Sequence, residues 1–363
     1  MSSLWCKGIS LSIFGESHGN GIGVVLDHLP SGEEIDPDQL AAFMARRAPR
    51  QNAASTARRE KDQPRILSGI LNGRTTGAPL CAVIENTDTR SQDYGNISAL
   101  ARPGHADYTG HLRYKGYNDV RGGGHFSGRL TAPLCFAGAV CGQILARRGI
   151  VSGAHIAALG EIRDTPYDSV SLDAETLLSV RGKSFPTLDT AAGEAMLQYI
   201  DAVRRELDSV GGIIECGIIG FPAGIGSPMF GGIENVIASI VFGIPAVKGI
   251  EFGAGFGVNG ARGSQNNDPF YMENGMVKTR TNHAGGILGG ISSGMPICFR
   301  VAVKPTPSIA QEQDTIDYRQ RTDAKLTIHG RHDACVLPRA VPVVEAAANI
   351  ALLGLLIEQN GLQ

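Results

Sequence analysis

The 363-residue sequence lacks several features that would place it in a specialised class of proteins. It has no basic excess, since 33 Lys and Arg against 35 Asp and Glu give a formal net charge of −2. This balance argues against general nucleic-acid binding, which needs a basic face. It has no C-x-x-C pair, and its seven cysteines are scattered, so neither a disulfide framework nor a zinc ribbon is predicted. The aromatic share is only 6%, with one Trp, which predicts an aliphatic core.

A long hydrophobic run is also missing. Residues 1–7 contain no apolar stretch of the length found in signal peptides. The longest apolar segment, near residues 346–357, contains Asn349 and is expected to be too short to cross a bilayer. We therefore expect a protein of the reducing cytoplasm that has neither a membrane nor a nucleic acid as partner.

Glycine is the residue in clear excess. The sequence has 48 glycines, whereas average usage of about 7% predicts roughly 25. They are clustered rather than periodic, which excludes a collagen-like chain. Glycine permits tight turns and close approach of the backbone to a ligand. The clusters that predict such places are Gly122-Gly123-Gly124, Gly211-Gly212, Gly231-Gly232, Gly285-Gly286 and Gly289-Gly290.

Hydrophobic periodicity and end signals predict alternating strands and helices. Helices are predicted over residues 36–47, 130–147, 191–209, 234–242 and 341–359. Strands are predicted over residues 66–71, 80–84, 211–220, 247–252 and 297–303. Asp36 is the predicted N-cap of the first helix, and Asn72-Gly73 the turn between the first two strands. Residues 150–190 form a polar break with turn signals.

The order of these elements favours one fold class. Strands often follow one another directly, so a mixed layered α+β fold with central helices is favoured over a doubly wound parallel sheet. The two halves of the chain share a similar order of strand, glycine loop and buried helix, which predicts approximate internal symmetry. Residues 86–125 contain few periodic apolar residues, and so long an irregular segment is usually functional. The polar, arginine-containing stretch up to residue 61 is predicted to be a mobile basic loop.

Three turns each place a histidine beside other reactive side chains. Glu16-Ser17-His18 follows a strand-like apolar run and is flanked by glycines; a hydrogen-bonded turn without chemistry is its plain alternative. The other two are Arg102-Pro103-Gly104-His105-Ala106-Asp107 and Gly330-Arg331-His332-Asp333. Loops on a rigid scaffold often carry catalytic residues. The repeated pattern therefore predicts one site that binds an anion and moves protons.

A metal site is the alternative interpretation of these turns. His105 with Asp107 and His332 with Asp333 are its candidate ligands. Their spacings match no zinc pattern, and the neighbouring arginines would repel a cation, so we predict no metal. The isolated histidines at positions 28, 111, 155 and 329 are interpreted as structural.

Arginines and glycine loops supply the anion-binding candidates. Guanidinium groups suit phosphate and carboxylate, and Arg129 and Arg331 lie beside glycines or a histidine. Residues 122–129 end where a helix is predicted to begin, and exposed amides there bind anions. This loop is neither a Walker A sequence nor a dinucleotide fingerprint.

Residues 282–294 and 304–308 predict either a site for a phosphate-bearing planar cofactor or a flexible loop. Arg147, Arg148, Arg204 and Arg205 are interpreted as surface charges.

Taken together, these sequence motifs resemble those of the chorismate synthase family over nearly the whole chain. The residues that carry the resemblance are Gly15-Glu16-Ser17-His18-Gly19, Leu67-Ser68-Gly69, Ser91-Gln92-Asp93-Tyr94, residues 102–107, residues 122–124, Ala246-Val247-Lys248-Gly249, residues 282–294, residues 304–308 and residues 330–333. The resemblance implies a phosphate-eliminating carbon–oxygen lyase of the shikimate pathway, which converts 5-enolpyruvylshikimate 3-phosphate to chorismate. It also implies reduced FMN as cofactor, with no net redox change. The implied fold is a single domain over residues 1–363, a layered β-α-β sandwich with mixed or antiparallel sheets around central helices, assembled as a homotetramer.

The resemblance also implies roles for individual residues. His18 would protonate or hold the anionic flavin, and His105 would assist the departing phosphate. Asp333 with Ser17 would act in the proton relay around flavin N5. Substrate would be bound by Arg47, Arg102 and Arg129. The flavin site would be lined by His125, Phe126, Ser127, Ala246, Gly289, Lys304, Pro305, Thr306, Pro307, Ser308 and Arg331.

The chain departs from the common family pattern in two places. The usual Arg-Ser-Ser-Ala-Arg-Glu-Thr after the glycine triplet is here His125-Phe126-Ser127-Gly128-Arg129-Leu130-Thr131. An imidazole thus replaces a basic flavin contact, and Phe126 is expected to pack either on the flavin or on the helix. Ala53 stands where many relatives have an arginine, which weakens a nicotinamide-nucleotide (NADP) contact. We therefore expect a monofunctional enzyme that receives reduced FMN from a separate flavin reductase.

Two other functions compete with the lyase. One is a metal-dependent hydrolase built on the histidine turns, which would lose activity to chelators. The other is a non-catalytic anion- or nucleotide-binding protein, which would bind the phosphate ester without turnover.

Overall fold

Two five-stranded antiparallel sheets form the framework of the fold. The computed structural model describes residues 3–48, 62–87, 99–328 and 333–360. In sheet order, the first sheet contains β1 (Leu4–Lys7), β2 (Ile9–Gly15), β3 (Gly21–Asp27), β7 (Leu80–Glu85) and β4 (Arg65–Ser68). The second contains β11 (Val247–Phe252), β16 (Ile297–Val303), β10 (Gly212–Ile219), β8 (Val151–Leu159) and β9 (Ile162–Arg163).

Four short hairpins add further strand pairs. They are β5 (Ile70–Leu71) with β6 (Arg74–Thr75), β12 (Phe270–Glu273) with β13 (Met276–Thr279), β14 (Ile287–Leu288) with β15 (Ile291–Ser292), and β17 (Gln313–Asp317) with β18 (Thr322–Leu326). All strand pairs in the described part of the chain are antiparallel. Together with the helices they make the chain an α+β protein, as predicted.

Two apolar helices, α3 and α8, connect the sheets. The helices are α1 (Pro37–Arg47), α2 (Asp107–Tyr114), α3 (Thr131–Ala146), α4 (Ala174–Ser179), α5 (Thr190–Arg205), α6 (Ile233–Val241), α7 (Gly263–Asn266) and α8 (Leu337–Asn360). Helices α3 and α8 pack on each other, and each also contacts strands of both large sheets. A Cβ atom added to Gly138 would lie 2.2 Å from the Cβ of Ala346, so the two helices pack backbone against backbone. The core around them is mainly aliphatic, as predicted.

The position of helix α1 is fixed by an N-cap at its start and by an ion pair at its end. Asp36 caps it by accepting hydrogen bonds from the amides of Asp38 at 2.8 Å and Gln39 at 3.2 Å, as predicted. At its other end Arg46 forms a buried ion pair with Glu345 of α8. This pair anchors the last turn of α1 against the central helices, which brings the next residue, Arg47, to the cleft described below.

Several predicted elements coincide with the observed ones and others do not. Strands β11 and β16 have the predicted bounds, and five predicted helices are present with shifted ends. The predicted strand over residues 66–71 is wrong, because Gly69 at φ +86° separates β4 from β5. The Asn72-Gly73 turn closes the β5–β6 hairpin instead, while β4 pairs with β7. The predicted basic loop that runs up to residue 61 lies outside the described residues.

Strand β8 occupies the segment that the sequence marks only as a polar break. It pairs with β10 on one side and β9 on the other. Its polar residues include Ser152, 5% exposed, and His155, fully buried, so their polarity does not mark a surface. Residues 86–125 likewise contain a helix, α2, and the glycine triplet at residues 122–124 forms a turn in which all three glycines have positive φ.

Two segments are long and apolar enough to cross a membrane by length and composition alone. They are Gly128–Ala146 and Leu337–Gln359, so the expectation that the C-terminal run is too short is wrong. In each, however, 89% of the apolar window is buried inside the protein. Such burial is typical of the core helices of soluble proteins.

His155 is held in a buried cluster of charges between β8 and β10. Its Nδ1 lies 2.7 Å from Asp164 Oδ2 and its Nε2 lies 2.9 Å from Glu215 Oε2. Both ring nitrogens face carboxylates, so both donate and the ring is an imidazolium. Burial by itself disfavours the charge, but the two carboxylates outweigh it and raise the pKa of His155.

We expect His155→Gln to destabilise the protein more at pH 6 than at pH 9. Because the pKa of His155 is raised on folding, its stabilisation is fully present below the unfolded value near 6.5 and is lost as the pH rises through the folded value. Removing one partner of a buried pair costs about 3–5 kcal/mol, and we expect a loss of this size at pH 6. Urea unfolding at both pH values measures it, with exposed His28→Asn as control. Equal losses at the two pH values would contradict the charged assignment.

Candidate active site

A cleft of about 580 Å³ opens where the ends of several elements meet. This volume is within the range of small-molecule sites. Its walls are the end of α1, the turn before α2, the loop before α3, the strand ends at β11 and β16, and the start of α8. The predicted site residues that line it are Arg47, Arg102, His105, His125, Phe126, Ser127, Arg129, Ala246, Lys304, Thr306, Pro307, Ser308 and Asp333. The cleft thus collects residues from both halves of the chain.

The first histidine turn lies directly behind the glycine triplet. Glu16-Ser17-His18 joins β2 to β3, and Ser17 Oγ donates to the carbonyl of Arg121 at 3.2 Å. Since the single hydroxyl proton is used there, Ser17 Oγ accepts from Nδ1 of His18, 3.1 Å away. Both Ser17 and His18 are buried.

The glycine triplet touches both predicted catalytic histidines. A Cβ on Gly122 would lie 2.1 Å from the His18 ring, and one on Gly123 would lie 3.2 Å from His105 Nε2. Both glycines also have positive φ, +62° and +107°, which side-chain-bearing residues rarely adopt. The triplet is therefore required for the backbone to pass between the two imidazoles, with His18 behind it and His105 in the cleft wall.

The second turn forms a compact charged cluster. Asp107, the first residue of α2, accepts hydrogen bonds from Arg102 Nε and Nη2, both at 2.7 Å. Its Oδ1 is also 2.7 Å from His105 Nδ1. Burial favours the neutral acid, but Arg102 and His105 outweigh it and hold the pKa of Asp107 well below its usual range. Both carboxylate oxygens are engaged, which leaves them poorly suited to the metal site considered above.

A buried carboxylate joins two cleft arginines. Asp62 accepts from Arg47 Nη1 at 2.6 Å and forms a second ion pair with Arg129. The Asp62 side chain is 0% exposed. Burial raises the pKa of Asp62, but the two guanidinium groups reverse the shift and lower it. Asn86 adds a link, since its Oδ1 accepts from Arg129 Nε at 3.2 Å while its amide donates to the carbonyls of Glu16 and Gly19.

Asp333 reaches the cleft beside the start of α8. Its Oδ2 accepts from Arg339 Nη1 at 2.6 Å, and Arg339 Nε donates to the carbonyl of Arg47 at 3.1 Å. This chain of contacts places Asp333 on the same wall as the Arg47 pair. Arg331 and His332 lie outside the described residues, so their predicted part in the site stays a prediction.

The strand ends at β11 and β16 form the opposite wall. Lys304 Nζ donates to the carbonyl of Gly104 at 2.7 Å, which ties the wall to the His105 turn. Burial and the neighbouring Lys248 charge lower the pKa of Lys304. Ala246 has φ +74°, and its carbonyl accepts from the Lys304 amide at 2.9 Å. Thr306 Oγ1 is buried without a hydrogen-bond partner among the described residues.

The residues that depart from the family pattern have partners within the protein. His125 Nδ1 donates to the carbonyl of Gly15 at 2.7 Å, and its Nε2 lies 2.5 Å from Ser3 Oγ. The Phe126 ring packs on α2, where a Cβ on Gly110 would lie 2.8 Å from it. Ser127 caps the following turn by accepting from the Arg129 amide at 3.2 Å. The helix it contacts is therefore α2, which the sequence did not predict, and Phe126 also lines the cleft.

Four predicted site residues that the structure describes do not line this cleft: Ser17 and His18 lie behind the glycine triplet, and the other two are Gly289 and Pro305. Gly289 lies in the exposed turn of the β14–β15 hairpin, and Pro305 is exposed beside the lining residues. Conversely, the sequence did not single out Asp62, Asn86 or Lys248 as site residues. Lys248 stands inside one of the quoted motifs, so it was accessible to sequence reasoning. Asp62 and Asn86 carried no such signal.

Comparison with known proteins assigns the chain to a family. The sequence model of chorismate synthase matches residues 9–357. The chain belongs to the chorismate synthase family. Chorismate synthases from Dehalococcoides mccartyi and Thermococcus kodakarensis are 45% and 44% identical to it, over 98% of this chain and 96% and 97% of their own lengths. A crystal structure of a chorismate synthase, 29% identical, covers 99% of this chain and 94% of its own, with a TM-score of 0.76.

Membership of the chorismate synthase family confirms the predicted enzyme class. The chain is a chorismate-forming lyase, and the family implies a small-molecule substrate and, in general, a flavin cofactor. In the described part of the chain, no three His, Cys, Asp or Glu side chains are grouped to hold a metal. The hydrolase alternative therefore gains no support from these residues.

Proposed function

We propose that the cleft binds 5-enolpyruvylshikimate 3-phosphate together with reduced FMN and eliminates phosphate to form chorismate. The observation that carries this proposal is the convergence of residues from six distant segments on one cleft. The substrate bears a phosphate and two carboxylates, so it requires several cations. The cleft offers them from Arg47, Arg102, Arg129, Arg339, Lys248 and Lys304.

The contacts of the protein groups support the following roles. His105 would assist the departing phosphate, since its Nδ1 is held by Asp107 and its Nε2 lies toward the glycine loop. Arg47, Arg102 and Arg129 would bind substrate anions. His18 would hold or protonate the flavin, with its Nδ1 fixed by Ser17. Asp333, beside Arg339, would act with Ser17 in the proton relay around flavin N5.

The residues present fit a flavin mononucleotide. The cleft has an apolar surface supplied by Phe126, Ile244 and Pro307, which suits a planar ring, and it has lysines that suit a phosphate. The buried Thr306 Oγ1 is placed for a ligand oxygen. We propose that FMN is held by His125, Phe126, Ser127, Ala246, Lys304, Thr306, Pro307, Ser308 and Arg331. When bound, reduced FMN would supply electron density to the substrate as the phosphate departs.

We further propose a cytoplasmic homotetramer of single-domain subunits, each a layered β-α-β sandwich, supplied with reduced FMN by a separate reductase. The contacts of α3 and α8 with both sheets support one continuous core. The β12–β13 hairpin supports self-association, because it exposes Phe270, Met272, Met276 and Val277. Clustered exposed apolar side chains are typical of protein interfaces.

Anaerobic turnover tests the proposed function. The protein is mixed with 5-enolpyruvylshikimate 3-phosphate and FMN reduced by dithionite, and both products are quantified. We expect chorismate and phosphate in equal amounts, none with oxidised FMN, and roughly 10²–10⁴-fold slower formation with His105→Ala prepared in the same way. Phosphate release without chorismate, abolished by a chelator, would favour the metal-dependent hydrolase. Binding of the ester without either product would favour the binding protein.

A further inference from the structure

Asp107 contacts both polar side chains of the turn that carries His105, Arg102 and His105 itself. Its Oδ2 accepts from the backbone amide of Arg102 at 3.0 Å and from Arg102 Nε at 2.7 Å. Its Oδ1 accepts from Arg102 Nη2 at 2.7 Å and lies 2.7 Å from His105 Nδ1. The residue is only 9% exposed. The carboxylate therefore has fixed partners on both oxygens and little contact with solvent.

These contacts decide which ring nitrogen of His105 carries a proton. Nδ1 lies 2.7 Å from a carboxylate oxygen of Asp107 and 3.2 Å from Arg102 Nη2. A bare Nδ1 would face the carboxylate lone pairs at the shorter distance, which is repulsive, whereas a protonated Nδ1 donates to them. Nδ1 is therefore protonated, and Nε2 is the nitrogen left for chemistry.

The ring orientation follows from the same contact. With Nδ1 directed at Asp107, Nε2 points toward the glycine triplet, where a Cβ on Gly123 would lie 3.2 Å from it. Gly123 is next to Gly122, which lines the cleft with His105. The ionic partner Arg102 keeps Asp107 charged, so the carboxylate stays an acceptor.

We propose that Asp107 is a positioning residue that fixes the Nδ1–H tautomer of His105 and presents its Nε2 to the leaving phosphate. The second half of this statement rests on the proposed function, whereas the tautomer does not. Asp107 itself has no free atom for the substrate, since both oxygens are held by Arg102 and His105. Its effect on the reaction passes through the imidazole.

Asp107→Asn should invert the tautomer. The asparagine has one oxygen, and the position of Oδ2 faces two donors of Arg102, so the oxygen is best placed there. The NH₂ group then faces His105 Nδ1 and donates to it, which moves the imidazole proton to Nε2. The nitrogen that should serve the phosphate is thereby changed, and a wrong tautomer costs roughly 10²–10⁴-fold in turnover.

The test is long-range ¹H–¹⁵N NMR of the full-length protein labelled with ¹⁵N-histidine, recorded above the titration range of the ring. The His105 signals are assigned by their loss in His105→Gln. We expect Nδ1–H in the unmodified protein and Nε2–H in Asp107→Asn, with anaerobic turnover falling 10²–10⁴-fold. Asp107→Glu, which restores a carboxylate, should return Nδ1–H and part of the activity.

Asp201→Asn is the matched control, because Asp201 also bridges arginines but on the exposed face of α5; it should leave tautomer and turnover unchanged. An Nε2–H tautomer in the unmodified protein would overturn the proposal, and that measurement needs no variant that might misfold. An unchanged tautomer in a folded Asp107→Asn protein would overturn it as well. A tautomer change with normal turnover would support the positioning by Asp107 and contradict the proposed role of His105.

Discussion

Removal of either site imidazole is expected to lower turnover by roughly 10²–10⁴-fold, the usual effect of losing a positioned acid or base. The two variants are His105→Ala and His18→Ala. His105 lies in the cleft wall with Nδ1 held by Asp107, and His18 is packed against Gly122 with Nδ1 held by Ser17. We expect both variants to fold.

Rates are measured anaerobically with reduced FMN and excess substrate, by the release of phosphate and the formation of chorismate. His28→Asn is the control, because His28 is exposed and asparagine tolerates its positive φ of 67°. Near-normal rates in both alanine variants would refute the assigned roles. A loss confined to one variant would identify that histidine as the group that acts on the substrate.

The elements that the sequence predicts well are those with strong end signals or continuous apolar character. Asp36 and Pro37 define the start of α1, and the apolar residues of β16 define that strand. Strand β8 was missed because His155 and Ser152 are polar yet buried, and their partners Glu215 and Asn349 are distant in sequence. The polarity of a residue in the sequence cannot by itself tell whether that residue is buried in an ion pair or exposed at the surface.

The site residues also divide into those that local sequence motifs reveal and those that they do not. The histidine turns, the glycine triplet and the Lys304–Ser308 run were identified as local strings, and the fold places most of them in one cleft. Asp62 and Asn86 could not be found in this way, because their importance lies in what they contact. Each is a single polar residue whose partner Arg129 is more than 40 positions away. The predicted internal symmetry and the homotetramer stay predictions.

The buried carboxylate of Asp62 is expected to be the largest electrostatic contribution to the stability of the site. Asp62→Ala removes the counter-charge shared by Arg47 and Arg129, whose side chains are only 2% and 4% exposed. Breaking a buried pair by removing one partner typically costs about 3–5 kcal/mol, because the remaining charge stays desolvated. We expect a loss of this size in the free energy of unfolding, measured by urea denaturation at pH 7.

The chain contains a matched control for burial. Asp201 also pairs with two arginines, Arg204 and Arg205, but these are 58% and 78% exposed. Water screens such a pair, so Asp201→Ala should change the free energy of unfolding far less than Asp62→Ala does. Similar losses at both positions would show that the arginines around Asp62 relax toward solvent and that the carboxylate is not needed to hold them. A large loss at Asp62 alone would mean that the Asp62 carboxylate holds the two cleft arginines in place before any anionic substrate binds.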